Sequence, residues 1–171
     1  MKKGFTLLEL TVAVGIMSLL FIVAADLFSQ GSFLQRKSLE RAEILNQISY
    51  ALEFMSRELR LAQKDLNGSC ISAKNNYLVE GTNSIKFKDF NGKCQRFYLL
   101  NNQLMHDYQD HYSALPLTSP KIIVSSLKFL VEGQTQDDTL QPRVTLILEI
   151  EKPLKAKFQT TVSQRELDVQ Y

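Results

Sequence analysis

The chain has 171 residues, of which 44% are hydrophobic and 22% are charged, and its formal net charge is +2. This composition is that of an ordinary globular protein with about one folded unit, and it excludes an intrinsically disordered chain. The nearly balanced charge gives no support to a general electrostatic affinity for nucleic acid, although it does not exclude a local basic patch.

An apolar run near the N-terminus is the first predicted element. Lys2 and Lys3 precede the stretch from Phe5 to Ala25, whose 21 residues would span roughly 31 Å as a helix, the thickness of a membrane's hydrocarbon core. The lysines are expected on the cytoplasmic side, and everything after Asp26 on the outer face. A cleaved secretory signal fits less well, because its small-residue cleavage site would be weak and is followed at once by an aspartate.

Glu9 is the one charged residue within this apolar run. An ionised side chain at the centre of a membrane helix costs about 2.5 to 3.5 kcal/mol, and less near the helix end where Glu9 lies. Such a residue is expected to have a partner. The alternative is an ordinary single-pass anchor in which Glu9 snorkels to the nearer membrane interface.

The residues that surround Glu9 form a more specific pattern. The segment KKGFTLLE, from Lys2 to Glu9, resembles the leader of type IV pilins and type II secretion pseudopilins. The resemblance implies that a prepilin peptidase cuts after Gly4, that the new amino group of Phe5 is methylated, and that Glu9 faces the amino terminus of a neighbouring subunit. In a low-dielectric filament core, a carboxylate beside an ammonium offsets much of the desolvation cost of both.

A second helical pattern follows the apolar run. The chain has neither glycine nor proline between Ser32 and Asn67, and apolar residues recur at spacings of three and four: Leu45, Ile48, Leu52, Met55, Leu59 and Ala62. This predicts an amphipathic helix that continues the apolar one to about Leu66, with a stop at Asn67–Gly68. The predicted divisions are a leader (1–4), a transmembrane and assembly helix (5–29), its amphipathic continuation (30–66) and an outer domain (67–171).

After Ser69 the hydrophobic period changes to two, which is typical of strands. Asn91–Gly92 predicts a two-residue hairpin turn, and Asn101–Asn102 predicts another turn before a strand from Gln103 to Tyr108. Apolar residues later alternate in three further segments: Ile123, Leu127, Phe129 and Val131; Val144, Leu146, Leu148 and Ile150; Phe158, Thr160 and Val162. The predicted fold class is α+β, with the long helix packed on an antiparallel sheet that has one buried side.

Several strand segments are also similar to J-type minor pseudopilins and PilW-type minor pilins: Ser84–Phe87, Phe97–Leu99, Gln103–Leu104, Pro142–Leu146 and Thr160–Arg165. This resemblance implies a structural subunit, not an enzyme, that primes or caps a type IV pilus or type II secretion pseudopilus. Its expected partners are prepilin peptidase, the bacterial inner membrane, and other minor and major pilins bound through the N-terminal helix. The expected location is a single-pass inner-membrane precursor with a periplasmic or extracellular outer domain, then a filament. The alternative is a DNA-binding competence pilin or an adhesive one.

Cys70 and Cys94 are the two cysteines, and both fall on the oxidising side of the membrane if this topology holds. A disulfide is favoured over a zinc site or two free thiols, because zinc sites usually show paired cysteines at close spacing. It would contribute roughly 3 kcal/mol in the entropic model.

Other candidate chemistry is weaker. His106 and His111 lie with two aspartates in the segment HDYQDH, which could form a divalent-metal or catalytic site, and Asp137–Asp138 could hold calcium. Neither group has regular ligand spacing, so solvated loops are favoured for both. Neither a metal nor a cofactor is predicted. No phosphate loop, nucleophile elbow or paired-carboxylate motif occurs.

A basic hairpin could bind DNA through Lys86, Lys88, Lys93 and Arg96 with three nearby phenylalanines, Phe87, Phe90 and Phe97. Lysines on an edge hairpin more often prevent aggregation, so nucleic acid is a less favoured partner.

Overall fold

The computed structural model describes residues 6–108, 114–134 and 140–166. Within these residues one long helix is followed by eight strands: α1 (Leu7–Arg60), β1 (Tyr77–Glu80), β2 (Ser84–Lys88), β3 (Cys94–Leu100), β4 (Gln103–Tyr108), β5 (Leu115–Pro116), β6 (Ile123–Glu132), β7 (Arg143–Lys152) and β8 (Ala156–Ser163). The predicted α+β class is therefore confirmed. The chain divides into two compact units, residues 1–43 and residues 44–171.

The first unit consists of the N-terminal part of α1. Its large apolar side chains are exposed along the whole segment, from 81% at Leu7 to 78% at Phe28. Helix α1 is long and apolar enough near the N-terminus to cross a membrane by length and composition. Nothing in the described chain buries this surface.

The second unit contains two antiparallel sheets where a single sheet was expected. The first sheet has the strand order β1-β2-β3-β4-β5, and the second has the order β6-β7-β8. The amide of Val124 in β6 donates to the carbonyl of Asn102 over 2.9 Å, and the Asn102 side chain returns a bond of 3.1 Å to the carbonyl of Val124. The turn between β3 and β4 thus links the two sheets.

The C-terminal part of α1 and the inner faces of both sheets enclose one hydrophobic core. Ile48, Ala51 and Met55 of the helix are completely buried, as are Phe87 and Phe97 of the first sheet. The buried stripe differs from the expected one at its start, because Ile44 is 7% exposed whereas Leu45 is 41% exposed. The amphipathic pattern is correct, but its phase at the first turn is shifted by one residue.

Helix α1 ends at Arg60, six residues before the expected end at Leu66. Beyond this point the backbone exchanges helical hydrogen bonds for strand-like ones. The amide of Gln63 donates to the carbonyl of Lys88 over 2.9 Å, and the amide of Asp65 donates to the carbonyl of Asn75 over the same distance. Gln63 and Asp65 therefore make isolated antiparallel bridges to Lys88 and Asn75 where helix was expected.

The two predicted turns differ in outcome. Asn101 and Asn102 both have positive φ, 49° and 62°, and join β3 to β4 as predicted. The predicted two-residue turn at Asn91–Gly92 is instead part of a five-residue loop, residues 89–93. The Asp89 carboxylate closes this loop by accepting the amides of Asn91 and Lys93 at 2.9 and 2.8 Å.

The buried face of β6 also departs from strict alternation. The pairing of β6 with β7 shifts register between Val124 and Ser126. Because of this bulge, Val124 and Leu127 are both buried, whereas Ile123 is only partly buried. The prediction that Ile123 shares the inner face with Leu127 is wrong at that one position.

Candidate functional site

The candidate functional site is the exposed apolar surface of α1 from Leu7 to Phe28. Every large apolar residue in this segment is at least 53% exposed. A contiguous apolar surface of this extent on a folded chain marks contact with a membrane or with other proteins. The residues needed for such contact are therefore present and unoccupied by the rest of the described chain.

Glu9 has a defined position at the start of this helix. Its Oε2 accepts the backbone amide of Thr6 at 3.0 Å and the Thr6 hydroxyl at 3.1 Å, while the Glu9 amide donates to Thr6 Oγ1 over 3.3 Å. This reciprocal pattern is a capping box, with Thr6 as the N-cap and Glu9 three residues later. Oε1 of Glu9 has no hydrogen-bond partner among residues 6–108, 114–134 and 140–166.

The capping box is a feature that was not predicted from the sequence. Its signal is the Thr-x-x-Glu spacing directly before an apolar run, which the segment from Thr6 to Glu9 shows. Gly4 and Phe5, the predicted cleavage and methylation residues, lie outside the described residues, so their roles stay predictions.

Residues 1–25 match the family model of the prokaryotic N-terminal methylation motif. The chain carries the N-terminal signature of the type IV pilin and pseudopilin superfamily. The pilin motif implies processing by prepilin peptidase and assembly with other pilins. It ends before the outer domain and does not distinguish the J-type subclass. No curated protein and no solved structure matches the chain significantly.

Outside the pilin motif, a disulfide joins Cys70 to Cys94, whose Cα atoms lie 5.4 Å apart. The bond connects the segment after α1 to the first residue of β3. It therefore fastens the chain that leaves the helix to the middle of the first sheet. Cys70 itself is 7% exposed.

Asp65 organises the same segment from inside the domain. Its fully buried side chain accepts the amides of Cys70 and Ile71 at 2.6 and 3.0 Å and the Ser69 hydroxyl at 3.2 Å, and Lys88 Nζ lies 3.6 Å away. Burial by itself raises the pKa of Asp65, but the hydrogen bonds from Ile71, Cys70 and Ser69 together outweigh burial and hold this pKa well below its usual range.

His106 lies in β4 and is 4% exposed, so the expectation of a solvated loop is wrong for this residue. Its Nε2 lies 2.9 Å from Oε1 of Gln95, and its ring centroid lies 4.9 Å from that of Phe97. Burial lowers the pKa of His106, while the nearby Asp107 carboxylate acts in the opposite direction. These contacts are those of a core histidine.

The described residues contain no group of three histidine, cysteine or acidic side chains that could hold a metal ion. His111 and the Asp137–Asp138 pair lie outside the described residues. The expectation that Asp137–Asp138 lies in a solvated loop therefore stays a prediction.

The basic hairpin does not form the aromatic and basic surface considered for DNA. Phe87 and Phe97 are completely buried. Lys88 lies 3.6 Å from the Asp65 carboxylate, and Arg96 pairs with Asp107 at 2.9 Å. Of the three phenylalanines only Phe90 is exposed, at 55%, so little stacking surface is left beside the lysines.

Proposed function

We propose that the protein is a minor pilin or pseudopilin that primes or caps a type IV pilus or a type II secretion pseudopilus. The observation that supports this most strongly is the N-terminal methylation motif at residues 1–25, which overlaps an exposed apolar helix in which Glu9 is the single carboxylate before Asp26. The precursor crosses the inner membrane once, with the outer domain on the periplasmic or extracellular side. Its work is noncovalent and structural.

The assembly step in this proposal centres on Glu9. Prepilin peptidase cuts after Gly4, and the methylated amino group of Phe5 in one subunit pairs with Glu9 of the next. Two unit charges about 4 Å apart attract by about 4 kcal/mol at an effective dielectric constant of about 20, before desolvation is subtracted. Because the Thr6 cap uses Oε2, Oε1 of Glu9 is available for an incoming ammonium group.

The capping box also lowers the cost of the Glu9 charge in the unassembled subunit. A carboxylate that accepts hydrogen bonds at a helix N-terminus is stabilised by those bonds and by the helix dipole. The charge is therefore partly compensated within one chain before a neighbour arrives. Assembly would add the intermolecular partner without requiring that the cap be broken.

The expected partners follow from the same surface. Other pilins contact the apolar helix between Leu10 and Phe28, and prepilin peptidase recognises the leader. Assignment to the J-type or PilW-type minor subunits is part of the proposal and is supported by the strand sequences alone. Enzymatic activity is not part of it.

Substitution of Glu9 tests the proposal in cells that make the filament. We expect Glu9→Leu to reach the membrane at the parental level and to be depleted about tenfold or more from sheared filaments, because the variant lacks the proposed ion pair. A tenfold depletion corresponds to a loss of about 1.4 kcal/mol in the free energy of assembly. Thr6→Ala serves as the control for the cap, since it removes the intramolecular partner and keeps the charge. Equal incorporation of Glu9→Leu and the parent would exclude the proposed pairing.

A DNA-binding or adhesive pilin is the alternative function. The burial of Phe87 and Phe97 and the pairing of Lys88 and Arg96 count against DNA capture by the hairpin. Salt-sensitive binding of the purified chain to DNA that is lost on substituting Lys86 and Lys93 would favour the alternative.

A further inference from the structure

An open groove runs along the last turns of α1, on the side that carries Tyr50, Glu53 and Arg57. Two adjoining depressions share Glu53 and Arg57 and together form this groove, which we call the arginine groove. The groove is lined by Tyr50, Glu53, Phe54, Ser56, Arg57, Arg60, Leu61 and Arg165. Every one of these residues belongs to the second compact unit.

The backbone after β8 builds one wall of the arginine groove. The amide of Arg165 donates to the carbonyl of Arg60 over 2.8 Å, and Nε2 of Gln164 donates to the carbonyl of Ala62 over 2.9 Å. Gln164 is itself 5% exposed and accepts a bond from Asn76 at 2.6 Å. These bonds fix the backbone of Arg165 beside the end of the helix.

The charges in the groove are unbalanced. Three arginines face one glutamate, and neither Arg60 nor Arg165 makes an ion pair with any residue that the structure describes. Arg57 is 66% exposed and lies 3.7 Å from the Glu58 carboxylate. The negative end of the helix dipole accounts for Arg57 and Arg60 in the last turn, but it does not account for Arg165, which comes from a different part of the chain.

We propose that the arginine groove binds a carboxylate-rich segment of a partner protein in the assembly, an inference that rests on the proposed pilin function. Guanidinium groups bind carboxylates through paired hydrogen bonds, and tyrosine and arginine are enriched where proteins meet. Tyr50, 68% exposed, lies at the far end of the same groove. Glu53 favours a protein over a nucleic acid, because its carboxylate can accept hydrogen bonds from peptide amides, which a phosphodiester backbone lacks.

The test uses the full-length chain in detergent micelles and a fluorescent oligoglutamate peptide as the probe. We expect the double variant Arg60→Gln/Arg165→Gln to weaken peptide binding about fivefold or more, as measured by anisotropy at low salt. The matched control is Lys121→Gln/Lys155→Gln, which removes two exposed positive charges elsewhere on the outer domain and should change binding less than about twofold. Equal losses in both double variants would overturn the proposal.

Two further arms separate the competing occupants. Tighter binding of a single-stranded oligonucleotide of the same charge, dependent on Arg60 and Arg165, would replace the protein partner by a nucleic acid and overturn the proposal. Much tighter peptide binding by a variant that ends at Glu166 would indicate that residues 167–171 occupy the groove in the full-length chain. This result would also overturn the proposal. Peptide binding does not involve Glu9, so the two proposals can fail separately. Arginine-dependent peptide binding together with full incorporation of Glu9→Leu into filaments would reject only the proposed assembly through Glu9. Depletion of Glu9→Leu from filaments without arginine-dependent peptide binding would reject only the proposed role of the arginine groove.

Discussion

Replacing Asp65 should strongly destabilise the second compact unit, because the buried Asp65 carboxylate is the acceptor for two backbone amides. In Asp65→Ala the buried amides of Cys70 and Ile71 lose their acceptor, and each unsatisfied group costs about 1 to 3 kcal/mol. The expected loss in free energy of unfolding is about 2 to 6 kcal/mol, a large share of the about 5 to 15 kcal/mol that is typical of a domain. Asp65→Asn keeps one oxygen acceptor and should lose about 1 to 3 kcal/mol.

The dependence of this effect on pH has a definite sign. Because the pKa of Asp65 is lower in the folded state than its ordinary value of 3.8, the carboxylate contributes its full stability above that value and loses it as pH falls through the folded pKa. The difference between the parent and Asp65→Asn should therefore be constant near neutral pH and shrink below about pH 4.

Urea unfolding of the full-length protein in detergent measures these differences. Near-ultraviolet circular dichroism reports the packing of the chain's 6 tyrosines and 10 phenylalanines. Glu149→Gln is the control, since its exposed pairing with Lys157 should contribute at most about 1 kcal/mol. A loss below about 1 kcal/mol for Asp65→Ala, with an unchanged urea slope, would refute the account of this buried carboxylate.

Two further predictions concern packing and backbone conformation in the second unit. Met55→Ala should lower the free energy of unfolding by about 2 to 5 kcal/mol, because Met55 is completely buried. Leu45→Ala should change it by no more than about 0.5 kcal/mol, because Leu45 is 41% exposed. Similar losses for the two variants in the same urea assay would contradict the observed phase of the helix. Gly133→Ala should destabilise by more than about 1 kcal/mol, since Gly133 has a φ of 69° and the new Cβ would lie 2.7 Å from the carbonyl oxygen of Gln141; an unchanged unfolding midpoint would contradict this backbone geometry.

The sequence predicted those features that depend on local pattern. The apolar period identified the helix, and the alternation of β7 placed Val144, Leu146, Leu148 and Ile150 correctly on its buried face. Asn101 and Asn102 were recognisable as a turn because asparagine tolerates positive φ. Each of these features is determined by residues close together in the chain.

The errors arose where distant segments decide the structure. Gln63 and Asp65 leave the helix because Lys88 and Asn75 offer backbone partners, and no local stop signal marks this exchange. The bulge beside Val124 is set by pairing with β7, and the burial of His106 depends on the helix that covers the first sheet. Periodicity alone could not supply any of these contacts.

The candidate site was predictable to a different degree. The leader pattern identified Gly4, Phe5 and Glu9 as residues of interest, and the family model matches the same region. The capping bond between Thr6 and Glu9 follows from the Thr-x-x-Glu spacing, so it could have been predicted from the sequence but was not. The arginine groove could not be predicted, because it depends on a hydrogen bond between the backbones of Arg165 and Arg60, which lie far apart in the sequence.

The most direct test of pilin-type processing is mass spectrometry of the protein purified from its native membrane or filament, with the first residue sequenced. The account predicts a chain that begins at Phe5 with a methylated amino group and lacks residues 1–4. A chain that begins at Met1 with an unmethylated amine in assembled material would contradict it.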